Sequence, residues 1–200
     1  MEFRELLRKR RMVRHYTGEP VDREVLERIA ATVRRAPSAG YSQGQRLLVV
    51  TDPELLAALA EPEEREAPEG AESWLGTAGA HVLVLVREPD YHDRYRRADK
   101  LQEGEEIEWH VPYWFVDAGA ALMLVLLAAI DEGLAAGVYG VTREDEEQMR
   151  GLLGIPADLR IVAGITLGPG APDPAWSEGA SRRTQPRRPA DELVRWQRWG

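Results

Sequence analysis

The chain has 200 residues and a mass of 22.5 kDa, enough for one domain with a well-buried core. Apolar residues make up 44% and charged residues 30%, a globular composition, and the lack of cysteine excludes disulfides, thiolate metal sites and a cysteine nucleophile. Net charge is −8, yet residues 1–14 and 181–200 each carry six basic and two acidic side chains around an acidic body. That distribution disfavours general nucleic-acid binding and leaves two basic ends able to converge on one small anion.

Residues 2–10 read as a short helix with Phe3, Leu6 and Leu7 on one side. After a turn at 17–20, Asp22 is placed to N-cap a helix running to about Arg35, with Val25, Leu26, Ile29 and Val33 at helical spacing. Pro37 stops it, because proline disfavours the α region for Ala36. Residues 47–50 read as a buried strand, 52–60 as a helix, and 61–72 as a solvated acidic surface segment. Residues 81–86 form a second strand, and 87–110 are highly charged with one helix. The longest apolar run, 118–130, falls short of the ~20 residues a bilayer requires and is expected as a core helix, capped by Asp117 and ending at Gly133. Residues 142–153 form another helix, opened by Thr142 and Asp145 at capping-box spacing and closed by Gly154. Residues 160–167 are a third strand, 168–181 an extended loop, and 182–200 a basic arm ending in Trp196 and Trp199. Helices dominate over few, scattered strands, which favours a single α+β domain across 1–200. The charged N-terminus lacks an apolar h-region, so no secretory signal is expected and the address is cytoplasmic, with no membrane partner.

Metalloprotease, nucleophile-elbow and nucleotide-binding glycine signatures are missing, and His15, His81, His92 and His110 are too scattered for a metal site. His81, at a strand start, reads as a packed or capping residue. Trp109, Tyr113 and Trp114 cluster in a charged region, either packing against neighbouring elements or covering a planar ligand.

Two segments stand out. One is Arg10-Arg11-Met12-Val13-Arg14-His15-Tyr16 followed by Pro20-Val21. The other is Ala36-Pro37-Ser38-Ala39-Gly40-Tyr41-Ser42-Gln43, ahead of an apolar strand. Together with Asp117 and its apolar helix, Gly133-Leu134, the Gly137-Val138-Tyr139-Gly140 turn, Leu153-Gly154-Ile155-Pro156 and Gly164 to Gly168, in that order, the chain resembles the FMN-dependent nitroreductase family over nearly its whole length. The resemblance implies a nitroreductase-like fold, a small central, mostly antiparallel sheet flanked by helices, in a homodimer with FMN at the subunit interface.

It also implies roles. Arg10 stands where the family holds the FMN phosphate, with Arg11 beside it, and Arg14 near N1 and O2 of the isoalloxazine. Physically, a guanidinium binds a phosphate dianion by paired charge-assisted hydrogen bonds, and a cation near N1 favours the reduced, anionic ring. Met12 replaces a common small hydroxyl residue, leaving a main-chain contact. Pro37, Ser38, Ala39, Gly40, Tyr41 and Gln43 correspond to the loop that reaches the flavin from the opposite subunit; Tyr41 replaces a common Asn, and Gly44-Gln45 a common Pro-Trp. Tyr139 and Gly140 match the turn whose backbone N–H approaches N5. Arg187 and Arg188 match the final motif that closes on the phosphate, with Arg182 and Arg183 as competing candidates. The implied activity is NAD(P)H reduction of nitroaromatic or quinone acceptors by ping-pong hydride transfer through N5, without an obvious side-chain general acid. Dehalogenating, flavin-cleaving and dehydrogenating relatives share the fold, so a different flavin reaction is an open alternative. On the residues alone, so are a solvated basic helix end, a ligand-free turn at 37–43, a solubilising basic tail and a non-enzymatic dimer that binds another anion.

Overall fold

The computed structural model describes residues 1–66, 73–172 and 186–199. Its centre is a four-stranded, wholly antiparallel sheet built from β1 (Gln45–Val50), β2 (Ala80–Val86), β3 (Ala135–Tyr139) and β4 (Arg160–Gly168), in the order β1-β2-β4-β3. The seven helices among the described residues are α1 (Phe3–Lys9), α2 (Arg23–Ala31), α3 (Pro53–Glu66), α4 (Pro89–Tyr95), α5 (Tyr113–Asp131), α6 (Arg143–Leu153) and α7 (Ala190–Leu193). This is the expected α+β architecture, with one strand more than the sequence reading gave.

Strand alternation divides the core in two. Val82, Val84, Val86, Ile165 and Leu167 pack with Leu26 and Ile29 of α2 and Ala118, Val125 and Leu126 of α5. On the other face, Val50, Leu83, Leu85 and Ile161 meet Leu56 and Leu59 of α3 and Met149 of α6. β2 is buried along its full length because it lies inside the sheet with both faces covered. β1, read from sequence as a buried strand, is an edge strand and mostly half-buried. α6 has the predicted capping box, with Thr142 Oγ1 accepting from the Asp145 N–H at 3.2 Å, and closes at left-handed Gly154.

Several local expectations need correction. Asp22 makes no side-chain cap, and α2 tightens into a 3₁₀ turn at Thr32–Arg35 instead of continuing as an α-helix. α3 runs on through Pro62 to Glu66, so part of the acidic segment is helical. Asp117 is no cap either: α5 begins at Tyr113, placing Asp117 a turn inside it, where it is buried. With that extra turn α5 is long and apolar enough to cross a bilayer, but it lies over the sheet with Ala118, Ala121, Val125, Leu126 and Ala129 buried, which makes it a core helix. Residues 137–139, read as part of a turn, belong to β3.

Candidate functional site

The N-terminal basic segment lies beside the free edge of β3. α1 ends at Arg10, whose N–H bonds the Leu6 carbonyl, and the chain then runs extended, burying Val13 and Tyr16 while Arg11, Met12 and Arg14 stay exposed. Val13 N–H donates to the Ala136 carbonyl at 3.0 Å. Gly137 permits this approach, since a Cβ there would lie 2.4 Å from the Val13 carbonyl oxygen. The Tyr16 hydroxyl donates to the same carbonyl at 2.9 Å and shares a 2.7 Å hydrogen bond with Thr166 Oγ1. Burial pushes the Tyr16 phenol up to about 12, so it stays a neutral hydrogen-bonding post. The Arg14 guanidinium stands 5.5 Å above the ring of Trp74, which meets Tyr139 edge-on at 6.3 Å. Arg10, Arg11 and Arg14 pair with no carboxylate among the described residues.

Tyr139 closes β3 and lies flat over Gly164, where a Cβ would fall 1.9 Å from the phenol ring. Its reach across β4 brings its hydroxyl to His81 Nδ1 at 3.0 Å, while His81 Nε2 lies 3.0 Å from the Leu75 carbonyl. A carbonyl only accepts, so Nε2 carries the proton and the Tyr139 hydroxyl donates to Nδ1. Burial lowers the His81 pKa and raises that of Tyr139, keeping both neutral. His81 is thus a packed core histidine, as its strand position implies. Next to Tyr139, Gly140 is exposed, with nothing within 4 Å of the place a Cβ would take. Tyr139, Gly140, Trp74 and Leu75 border a 760 Å³ cleft between α3 and α6.

The 37–43 loop is fixed from several sides. Asp117 Oδ2 accepts from the Ala39 N–H at 2.9 Å and from the Tyr91 hydroxyl at 2.8 Å. Gln45 donates to the Pro37 carbonyl, Ser38 Oγ accepts from the Gln43 N–H, and Arg94 donates to the Gly40 carbonyl. Gly40, Tyr41 and Gln43 all have positive φ, at 58°, 60° and 53°. Two of those three carry side chains, so the neighbours hold a conformation that costs free energy locally. Tyr41 is 75% exposed.

The sheet keeps these two regions apart. Val13 joins Ala136, which is in register with Leu167 and through it with Ala80, near the Val50 end of β1. The 37–43 loop enters at the opposite end of β1, on the opposite edge of the sheet. At strand spacings of ~4.8 Å and rises of ~3.4 Å, the two are separated by roughly 14 Å across the strands and ~17 Å along them. Arg187 and Arg188 lie on an exposed segment, where Arg188 pairs with Glu192 at 3.6 Å. Arg182 and Arg183 lie outside the described residues. The tryptophan cluster is mainly packing: Trp114 is buried, and Trp109 contacts Tyr91, His92, Tyr95, Tyr113 and Trp114 edge-on or tilted.

Trp74, Tyr91 and the true role of Asp117 escaped the sequence reading. Trp74 closes a charged stretch without periodicity, and Tyr91 touches Asp117 only because α4 folds back over α5.

Known proteins resemble the chain in sequence and in fold. The nitroreductase family profile matches residues 7–169. Over 182 residues the chain is 30% identical to an NADH dehydrogenase of Thermus thermophilus, covering 80% of this chain and 82% of that protein. It is 28% identical over 165 residues to the FMN reductase [NAD(P)H] of Bacillus subtilis, covering 79% of this chain but only 61% of that protein's length. The fold superimposes over the full length of both chains on a nitroreductase family protein from Clostridium difficile 630, with a TM-score of 0.71 at 23% identity. The chain belongs to the nitroreductase family.

Proposed function

We propose that the protein is a cytoplasmic, homodimeric FMN-dependent oxidoreductase that uses NAD(P)H to reduce nitroaromatic or quinone acceptors. One observation carries this reading: three arginines without carboxylate partners among the described residues lie on a segment hydrogen-bonded to β3, next to an open backbone at Gly140. That donor set fits a ligand with a phosphate at one end and a planar, electron-accepting ring at the other. When bound, FMN supplies a two-electron carrier between NAD(P)H and the acceptor.

In this reading Arg10 and Arg11 bind the phosphate, Met12 offers its main chain, and Arg14, steadied over Trp74, places positive charge beside the ring. Tyr139 and Gly140 present the β3 end to the ring, with Tyr139 held by His81. Pro37, Ser38, Ala39, Gly40, Tyr41 and Gln43 come from a second copy, because within one chain they occupy the far corner of the sheet. An exposed apolar row on α5, with Val116, Gly119 and Met123 at i, i+3 and i+7, supplies a surface for that second copy. Arg187 and Arg188 add a second pair of guanidiniums for the phosphate, their segment being free of the chain's own core.

The visible spectrum of freshly purified protein, followed by NADH and NADPH oxidation with a nitro acceptor, tests the assignment. Flavin absorbance with turnover supports it. Bound flavin without pyridine-nucleotide turnover would favour another flavin reaction, and colourless protein that takes up no FMN at micromolar concentration would reject the flavin reading.

A further inference from the structure

Trp74 carries Arg14 on its ring and meets Tyr139 edge-on, yet it belongs to no helix or strand: it opens a turn at residues 74–77. The residues on either side of it, Ser73 and Leu75, are buried, and one side chain of α3 holds both. Glu63 Oε2 accepts from the Ser73 hydroxyl at 2.5 Å and from the Leu75 N–H at 3.3 Å. Ser73 Oγ accepts in turn from the Gly76 N–H, the Thr77 hydroxyl donates to the Trp74 carbonyl, and His81 Nε2 donates to the Leu75 carbonyl.

Among the described residues, every hydrogen bond of the Glu63 carboxylate goes to this turn. The indole is backed by the sheet as well, since a Cβ on Gly137 of β3 would fall 2.8 Å from its Cζ3. Stapled on both sides of the chain and seated on the strand, the ring offers Arg14 one place. The guanidinium is exposed and has no carboxylate partner among the described residues, which leaves the electron-rich indole face to orient it. Satisfied polar networks of this kind fix geometry beyond the sum of their separate bonds.

We propose that Glu63 is a positioning residue: by clamping Ser73 and Leu75 it sets the Trp74 indole, and through the indole the Arg14 guanidinium, at the edge of β3. The last link, from Arg14 to an anionic ring, rests on the flavin reading above; the clamp itself does not.

Iodide and caesium quenching of Trp74 fluorescence, taken as the difference between each protein and its Trp74→Phe counterpart, reads the clamp without any ligand. A cation beside the indole concentrates iodide and repels caesium, so the iodide-to-caesium ratio reports whether Arg14 is in place. Arg14→Met should lower the ratio. Glu63→Ala should lower it too, although loss of an acidic charge alone would raise it. Glu63→Gln, which keeps the accepting oxygen, should not lower it. Ser73→Ala, a smaller change, should lower it in part and decides the matter if Glu63→Ala fails to fold. FMN titration tests the last link. Glu63→Ala should weaken binding about threefold or more, as expected for coupled neighbours, and should have no further effect in an Arg14→Met background. A ratio that stays at its wild-type value or rises in Glu63→Ala and Ser73→Ala, or FMN losses that add in full with Arg14→Met, would overturn the proposal. Wild-type protein that binds no FMN would reject the flavin reading, and the quenching series would then decide the clamp by itself.

Discussion

At Asp117 one buried carboxylate ties α5 to the 37–43 loop through the Ala39 N–H and to α4 through the Tyr91 hydroxyl. Burial and the adjacent carboxylate drive the Tyr91 pKa far above its ordinary value, so it remains a donor throughout the physiological range. Removing the acceptor strands two donors, and hydrogen bonds to a charged group contribute ~1.5–3 kcal/mol each. Asp117→Ala should therefore cost roughly 3 kcal/mol or more in urea unfolding, and Asp117→Asn, which keeps an oxygen, clearly less; equal losses would mean that the contacts matter little. His81 gives a second residue-scale expectation. Its folded pKa lies below the unfolded value of about 6.5, so the unfolded chain binds more protons below that pH. Its contribution is fully present above pH 6.5 and falls away as pH drops, until the lower folded pKa is passed. Comparing urea midpoints at pH 7.5 and 5.0, His81→Leu should show a smaller drop than the wild type, although it is less stable at pH 7.5. From sequence, His81's place at a strand start marked it as packed or capping, and its burial in the core selects the first. Asp117 was misread because its partners are 26 and 78 residues away, beyond any local pattern.

At the scale of elements, β3 shows where pattern reading stops. Its Ala-Ala-Gly-Val-Tyr has little β propensity and no alternation, and it becomes a strand because β4 pairs with it on one side and Val13 bonds it on the other. The longer regular elements were legible: β2 and α5 are strongly apolar, and α6 carries its own cap and stop signals. Tertiary pairing also gives meaning to Gly164, which carries no local signal. A methyl there must displace the Tyr139 ring, and forcing extra volume into a packed site costs ~1–3 kcal/mol. Gly164→Ala should lose about that much in thermal or urea unfolding, and much less in a Tyr139→Ala background. A full loss in that background would show that the ring is not what occupies the space.

For the whole molecule, the strand order β1-β2-β4-β3 decides what one chain can and cannot assemble. It brings Arg14, Trp74, Tyr139 and Gly140 to one edge and sends the 37–43 loop to the diagonal corner, so the residues matched to the family motifs fall in two separate groups within one chain. The motifs were readable because each is local, but their separation is a property of sheet order and could not be. The exposed segment 186–199, with Trp196 86% and Trp199 74% accessible, likewise has no cover among the described residues of its own chain.

Equilibrium titration of flavin-stripped protein with FMN measures directly whether the N-terminal arginines hold an anionic flavin. With charged hydrogen bonds at ~1.5–3 kcal/mol each, Arg10→Ala combined with Arg14→Ala should weaken binding by roughly 3 kcal/mol or more, about a hundredfold or greater, with circular dichroism unchanged. FMN affinity that is the same in the wild type and the double variant would contradict it.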